Sequence, residues 1–530
     1  GNSSAIGWLN FIEVNARRHL VVAGDQMAFR DAQSVGSGNA ARYQLSGCDQ
    51  STMVWNVTYP THIKIQDGSL NGSTFEFNAA ADTLNEYIAF NGSNFFKPYF
   101  IEQVINQNLH SLPQANMLIV TNPRFKNEAA DLASFHRDND GLTVNVVTTK
   151  QVYNEFSCGS PDITAIKDFV KMFYERAGTD STKLPRYLCL FGDGSYDNKH
   201  RLTGNLNLVP TYESAESLMP TSSYVSDDYY GLLDNNEGDS PSQLIDIGIG
   251  RIPVKSITEA QNIVKKIKHY YNKQTMKPWR NWLAFVGDDE DNSTHMKQSD
   301  QLAQKVDTLY PDYNIDKLYL DSYTQESTPG GERYPDVNAA INKRMEQGCL
   351  ILTYVGHGGE LGWAHERVLE VSDINSWTNI DNMPLFLTAT CEFSRWDDPL
   401  RTSAGEYCFL NKDGGAIALL TTTRLVYSNP NKQLADTFFN YAFSELNGEV
   451  IRLGDLTLLT KINGPLIQNT RNFTLLGDPA VQLAYPRYNV VTTSVQDTIR
   501  ALSKVTVSGY ISDPGNGQKI VDFNGVIYPV

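Results

Sequence analysis

Two residues able to do chemistry each follow a short apolar run. Residues 350–355 lead into Gly356-His357-Gly358-Gly359, and residues 385–388 lead into Thr390-Cys391-Glu392. Both runs are too short for a helix and are bounded by turn residues, so both are predicted to be buried parallel strands. Ligands of an open α/β sheet bind beyond the carboxyl ends of its strands, so neighbouring strands would bring His357 and Cys391 to one crevice. A cysteine thiol is mostly protonated near neutrality, and its thiolate is the nucleophile. His357 is expected to take the thiol proton and hand it to a departing amine. The glycines allow close approach of substrate, and the N–H groups of Gly358 and Cys391 are the expected oxyanion donors.

Each residue alone has a plainer explanation. A cysteine ending an apolar strand is usually an inert small hydrophobe, and a histidine among glycines is often a turn residue. Their joint placement, 34 positions apart (391 minus 357), favours the dyad. A zinc site from His357, Glu360 and His365 is a competing arrangement that no cysteine pair at ligand spacing supports. Arg395, Trp396, Asp397 and Asp398 directly follow the cysteine and are expected to set specificity, with a salt-bridged turn as the other reading. Asp193, Asp197, Asp227, Asp228 and Asp234 offer the hard oxygen ligands that calcium takes. No cofactor is required by the dyad chemistry; a structural calcium ion is the expected addition.

The 530 residues carry a formal net charge of −16 and are 41% hydrophobic, ordinary values for a folded chain of several domains. The acidic balance excludes nucleic acid as an expected partner, since that needs a basic footprint. A nucleotide-binding α/β protein is also disfavoured, because GDGSYDNK and GDDEDN put carboxylates where phosphate loops put backbone amides and a lysine. No run approaches a membrane helix. Six cysteines are few for this length, which argues against a disulfide framework.

Alternating strands and Asn/Gly/Ser turns over residues 1–112, beginning with the run 8–20, predict a β-sandwich. From 113 the pattern changes to strands alternating with helices, predicting a parallel α/β subdomain over 113–276 with strands at 117–121, 142–148, 187–191 and 245–249. Lys277-Pro278 marks a break. A second α/β subdomain over 277–486 has helices at 299–309, 337–345 and 433–443, a closing strand within 472–483, and both candidate catalytic residues. Residues 487–530 read as the first strands of an immunoglobulin-like β domain, and the chain is expected to be a piece of a longer protein.

TYVGHGGELGW followed by PLFLTATCEFS resembles the gingipain family of cysteine peptidases. LCLFGDGSYDNK, VSDDYYG, IGIGRIPVKS and LLGDPAVQL extend the similarity over roughly residues 117–483. The resemblance implies a caspase-like fold, bound calcium and a His-then-Cys order. It also implies an acidic residue that assists the histidine, at Asp289 or alternatively Glu290, and an aspartate at the base of a specificity pocket, Asp300. The segment 391–428 is most similar to the sortase branch of the family. That implies a type IX secretion enzyme on the bacterial outer-membrane surface that removes C-terminal sorting domains from cargo proteins and joins cargo to anionic lipopolysaccharide, beside other secretion components. A secreted endopeptidase without transfer activity and a surface scaffold with a vestigial dyad are the alternatives.

Overall fold

The computed structural model describes residues 9, 11–14, 16–92, 95, 97–215, 219–238, 240–446, 448–486, 488–525 and 527. The chain divides into two units, 1–105 and 106–530. In the first, strands Gln26–Arg30, Glu86–Asn91, Thr52–Asn56 and Lys64–Ile65 form one antiparallel sheet, and Ala40–Ser46, Thr74–Ala80 and Ser69–Asn71 form another. Alternation is clean where one face is covered: Met27 and Phe29 are buried while Gln26, Ala28 and Arg30 are exposed. Met27, Phe29 and Tyr87 from one sheet pack with Tyr43, Leu45 and Phe77 from the other in a single apolar core. Within the first predicted strand, 8–20, the described residues form no strand, and Trp8, Asn10 and Asn15 lie outside the described residues.

The second unit is built on one ten-stranded sheet. Its strands are β1 (Met117–Thr121), β2 (Val144–Thr148), β3 (Tyr187–Phe191), β4 (Gly248–Ile252), β5 (Trp282–Gly287), β6 (Asn314–Tyr319), β7 (Ile351–Val355), β8 (Leu385–Ala389), β9 (Ala418–Thr422) and β10 (Phe473–Leu476). They lie in the order β6-β5-β7-β8-β9-β10-β4-β3-β1-β2. Every neighbouring pair is parallel except β9 with β10, which is antiparallel. Burial on both faces explains why β1, β3, β7, β8 and β9 are continuous apolar or threonine runs. The two predicted α/β halves therefore share a mixed sheet, and the last strand sits inside it, joining β9 to β4.

Two departures from expectation have simple causes. The fourth strand lies three residues later than predicted because it contains Arg251, whose fully buried guanidinium is neutralised by Asp227. The helix Leu453–Ile462 was not expected: burial of Leu453, Leu456, Thr457, Thr460 and Lys461 leaves it no amphipathic period. Beyond the sheet, Asn489–Ser494 and Ser508–Ser512 pair antiparallel; the chain end at 528–530, read as strand, lies outside the described residues. Among the described residues no helix is long and apolar enough to cross a membrane.

Candidate active site

β7 and β8 are parallel neighbours, and their register pairs Val355 with Ala389. His357 and Cys391 each stand two residues beyond that rung, so the register itself brings the two loops to one level. Glycine is needed here. A Cβ on Gly356 would lie 2.4 Å from the Asp288 Cβ, and one on Gly358 would lie 2.6 Å from Thr390 Oγ1, in the cysteine's own loop. Glu360 ties the loops further: it accepts from Arg395 Nη1 at 2.8 Å and from Arg401, both beyond Cys391.

The main chain of His357 is held on both sides. Its N–H donates to Asp288 Oδ2 at 2.8 Å, and its carbonyl accepts from the Tyr354 hydroxyl and the Ala364 N–H. On the ring, Nε2 lies 3.0 Å from Asp291 Oδ2 and 3.8 Å from Glu290 Oε2. A carboxylate can only accept, so Nε2 carries the proton in this bond and Nδ1 is left as the basic nitrogen. His365 stacks on the same ring, with its own Nδ1 2.9 Å from Glu290, and His295 meets it edge to face at 5.0 Å between centroids. The bond to His357 holds the Asp291 carboxyl below its usual range. Burial and the neighbouring His357 hold His295 below the ordinary histidine value.

Cys391 is half-buried, with Sγ 3.6 Å from the Val426 carbonyl. Burial pushes its thiol above the ordinary cysteine value, and the Glu392 carboxylate adds to the rise. Glu392 has φ +50°, a left-handed turn that sends the chain sharply away after the thiol. Thr390 is fixed through its carbonyl by the Thr422 hydroxyl, and Glu392 through its N–H by the Arg424 carbonyl.

Several expected residues serve elsewhere. Asp289 faces Tyr334, whose hydroxyl donates to it at 2.6 Å, so of the two expected acids it is the alternative, Glu290, that lies beside His357, together with Asp288 and Asp291. Asp300 is bound by Lys317 at 2.6 Å and Tyr319 at 3.0 Å on the helix Glu290–Leu309, an ion-paired position. Trp396 is fully buried beneath the Arg251 guanidinium, 4.2 Å from its ring centroid, and cannot meet a substrate. Arg395 is engaged by Glu360, and Asp397 by Arg424 at 2.7 Å. Glu360 is thereby also removed from the zinc set first considered.

The five aspartates read as calcium ligands do not converge. Asp227 is clamped by Arg251 through two 2.6 Å bonds, and Asp228 by Lys461 and Arg471 at 2.6 and 2.9 Å. Asp197 accepts the backbone N–H groups of Arg201 and Leu202, Asp193 faces Lys255 at 3.6 Å, and Asp234 is exposed beside the Tyr174 hydroxyl. The oxygens of Asp197, Asp227 and Asp228 are thus engaged by cations and amides, while Asp193 Oδ1 is buried without a hydrogen-bond partner.

Asp288, Asp291 and His295 escaped the sequence reading. The signal was the acidic run GDDEDN followed by Ser293-Thr294-His295, for which a solvated acidic loop is the competing reading. In the structure the helix starts at Glu290, and Asp291, Asn292 and Ser293 all have positive φ within it, a conformation costly for residues with a Cβ and invisible to periodicity. That turn swings Asp291 toward His357.

The profile of peptidase family C25 matches residues 110–484. No curated protein sequence matches the chain. Among solved structures, the chain is similar to dimeric latent PorU from Porphyromonas gingivalis, with TM-score 0.59 and 23% identity over 94% of this chain and 44% of that one. It is also similar to the Arg-specific cysteine proteinase gingipain R, with TM-score 0.54 and 16% identity over 76% of this chain and 87% of that one. The complex of Porphyromonas gingivalis RgpB pro- and mature domains gives TM-score 0.53 and 16% identity over 74% and 86%. The chain thus spans less than half the length of the PorU structure, while the family profile covers both strand ends that carry the dyad. On that match, the chain belongs to peptidase family C25, the gingipain family of cysteine peptidases.

Proposed function

We propose that this chain is an acyl-transfer peptidase in which Cys391 is the nucleophile and His357 the proton carrier. The observation that supports this is the shared register of β7 and β8, which sets both residues two positions past one rung. The Cys391 thiol gives its proton to His357 Nδ1, and the thiolate attacks the substrate carbonyl. The tetrahedral oxyanion is met by the N–H groups of Gly358 and Cys391. Collapse expels the amine, which takes the proton from His357, and leaves a thioester. An amine or a water then attacks that thioester and regenerates the thiol. Asp288 positions the imidazole through its main chain, and Asp291 through Nε2. In this reading the Sγ contact to the Val426 carbonyl gives way as the thiol transfers its proton to the imidazole.

The likeness to PorU supports a sortase-type substrate: a cargo protein at the junction with its C-terminal sorting domain, with an amine of anionic lipopolysaccharide as acceptor, on the outer-membrane surface among type IX secretion components. A gingipain-like endopeptidase without transfer activity is the second reading. Mass spectrometry of a junction peptide incubated with the chain, with and without an amine acceptor, separates them. A peptide–amine adduct that Cys391→Ala reduces by about 10⁴-fold or more is expected. Cleavage without adduct at saturating amine would leave the endopeptidase, and undiminished turnover in Cys391→Ala would remove Cys391 from the chemistry.

A further inference from the structure

We infer that Asp291, His295 and His357 form a binding site for Zn²⁺ which, when filled, takes the His357 imidazole out of catalysis. Asp291 Oδ2 lies 3.0 Å from His357 Nε2 and 3.3 Å from His295 Nε2, and the three donor atoms all fall within 4.8 Å of one another. An ion with bonds of about 2.0 Å in tetrahedral array holds its donors roughly 3.3 Å apart, which both Asp291 spacings already match, while the two imidazole donors lie within 4.8 Å of each other.

A second feature points the same way. His295 is only 7% exposed, yet neither ring nitrogen has a well-formed hydrogen bond. Burying an imidazole with no hydrogen bond beyond the loose 3.3 Å approach of Asp291 is costly, and a metal bond at Nε2 would satisfy it. The edge-to-face packing of His295 on His357, 5.0 Å between centroids, keeps the two rings side by side. Two imidazoles and one carboxylate are the donor set of zinc rather than calcium. The fourth position is open, with Glu290 Oε2 3.8 Å from His357 Nε2 and restrained by His365.

Metallation at Nε2 moves the ring's one proton to Nδ1, and the ring then has no lone pair with which to take the thiol proton. That consequence rests on the reading of His357 as proton carrier; the binding itself does not.

The test is an equilibrium titration of the full chain with Co²⁺, followed by displacement with Zn²⁺, in the wild type, Cys391→Ala, Asp291→Asn and His295→Phe. Visible absorption of four- or five-coordinate cobalt at one equivalent is expected in the wild type and in Cys391→Ala. Zn²⁺ affinity should fall by about 100-fold or more in the other two, at least what loss of an outer-sphere partner costs. The Asp291 side chain is 61% exposed, so Asp291→Asn keeps the test valid if His295→Phe does not fold. Absence of cobalt absorption in the wild type, or equal affinity in Asp291→Asn, overturns the site. Binding lost only in Cys391→Ala also overturns it, since the thiol would then be the ligand. Chelator-reversible inhibition of cleavage by Zn²⁺ in the wild type, reduced in parallel with affinity in Asp291→Asn, is the expected catalytic readout. A chain that binds Zn²⁺ in this pattern but cleaves nothing would refute the peptidase reading and keep the site.

Discussion

The loops around β3 and β4 and the loops beyond β5, β7 and β8 are both rich in carboxylates, yet their charges are handled in opposite ways. Around β3 and β4 the main carboxylates are closed off by buried cations: Arg251 on Asp227, and Lys461 with Arg471 on Asp228, all nearly inaccessible to water. Beyond β5 and β7 the partners of Glu290 and Asp291 are histidines, and apart from the nearly buried His295 these side chains are roughly one-third to three-quarters exposed. The first network fixes a shape. The second keeps protons and donors available, which is what a working site requires.

Removing a permanent cation should have the largest effect on the comparison. Arg251→Ala strands a buried Asp227 and should lower stability by about 3–5 kcal/mol, read from denaturant midpoints. An unchanged midpoint would mean the network is not structural. Next is a fully buried histidine, His136, held between Asp140 and Asp478 at 2.6 Å on each side. Burial lowers its pKa, but the two carboxylates outweigh burial and raise it to about 9. The folded value lies above the unfolded one, so its contribution is complete below about pH 6.5 and is lost as pH rises through 9. The loss is about 3 kcal/mol, and His136→Gln should flatten that slope in pH-dependent unfolding.

Within the open region, Asp288→Ala frees the main chain of His357 and should lower kcat/KM by about 10–100-fold while the unfolding midpoint moves less than in Arg251→Ala. A larger loss of stability than of activity would place Asp288 with the closed network. The smallest effect belongs to Asp300. Its pair with Lys317 is about one-third exposed on both sides, so Asp300→Asn should cost under about 1 kcal/mol and leave kcat/KM within roughly twofold. A specific change in substrate preference would restore the pocket role that its position in the structure denies.

Much of this was legible in the chain. The strands around His357 and Cys391 announced themselves because burial on both faces produces unbroken apolar runs, and the glycines marked where two loops nearly touch. Arg251 misled the placement of β4, because a charge inside a strand reads as a loop until its partner Asp227, 24 residues earlier, is known. Trp396 and Asp300 show the converse: proximity in sequence, or to a family motif, does not reveal which way a side chain turns. The left-handed run Asp291–Ser293 leaves no mark in the hydrophobic periodicity, and with it went the acid at Nε2 and the second histidine.

The interior position of β10 also dictates an order of assembly. Residues 473–476 fill the gap between β9 and β4, pairing with both. A growing chain must therefore hold two half-sheets, each with an open hydrogen-bonding edge, until its 473rd residue is available to join them. Contacts this distant in sequence form slowly, and an unpaired edge is a site of aggregation. The same arrangement means that a chain cut short before this strand has β7 and β8, and hence both reactive residues, without the strand that completes the sheet.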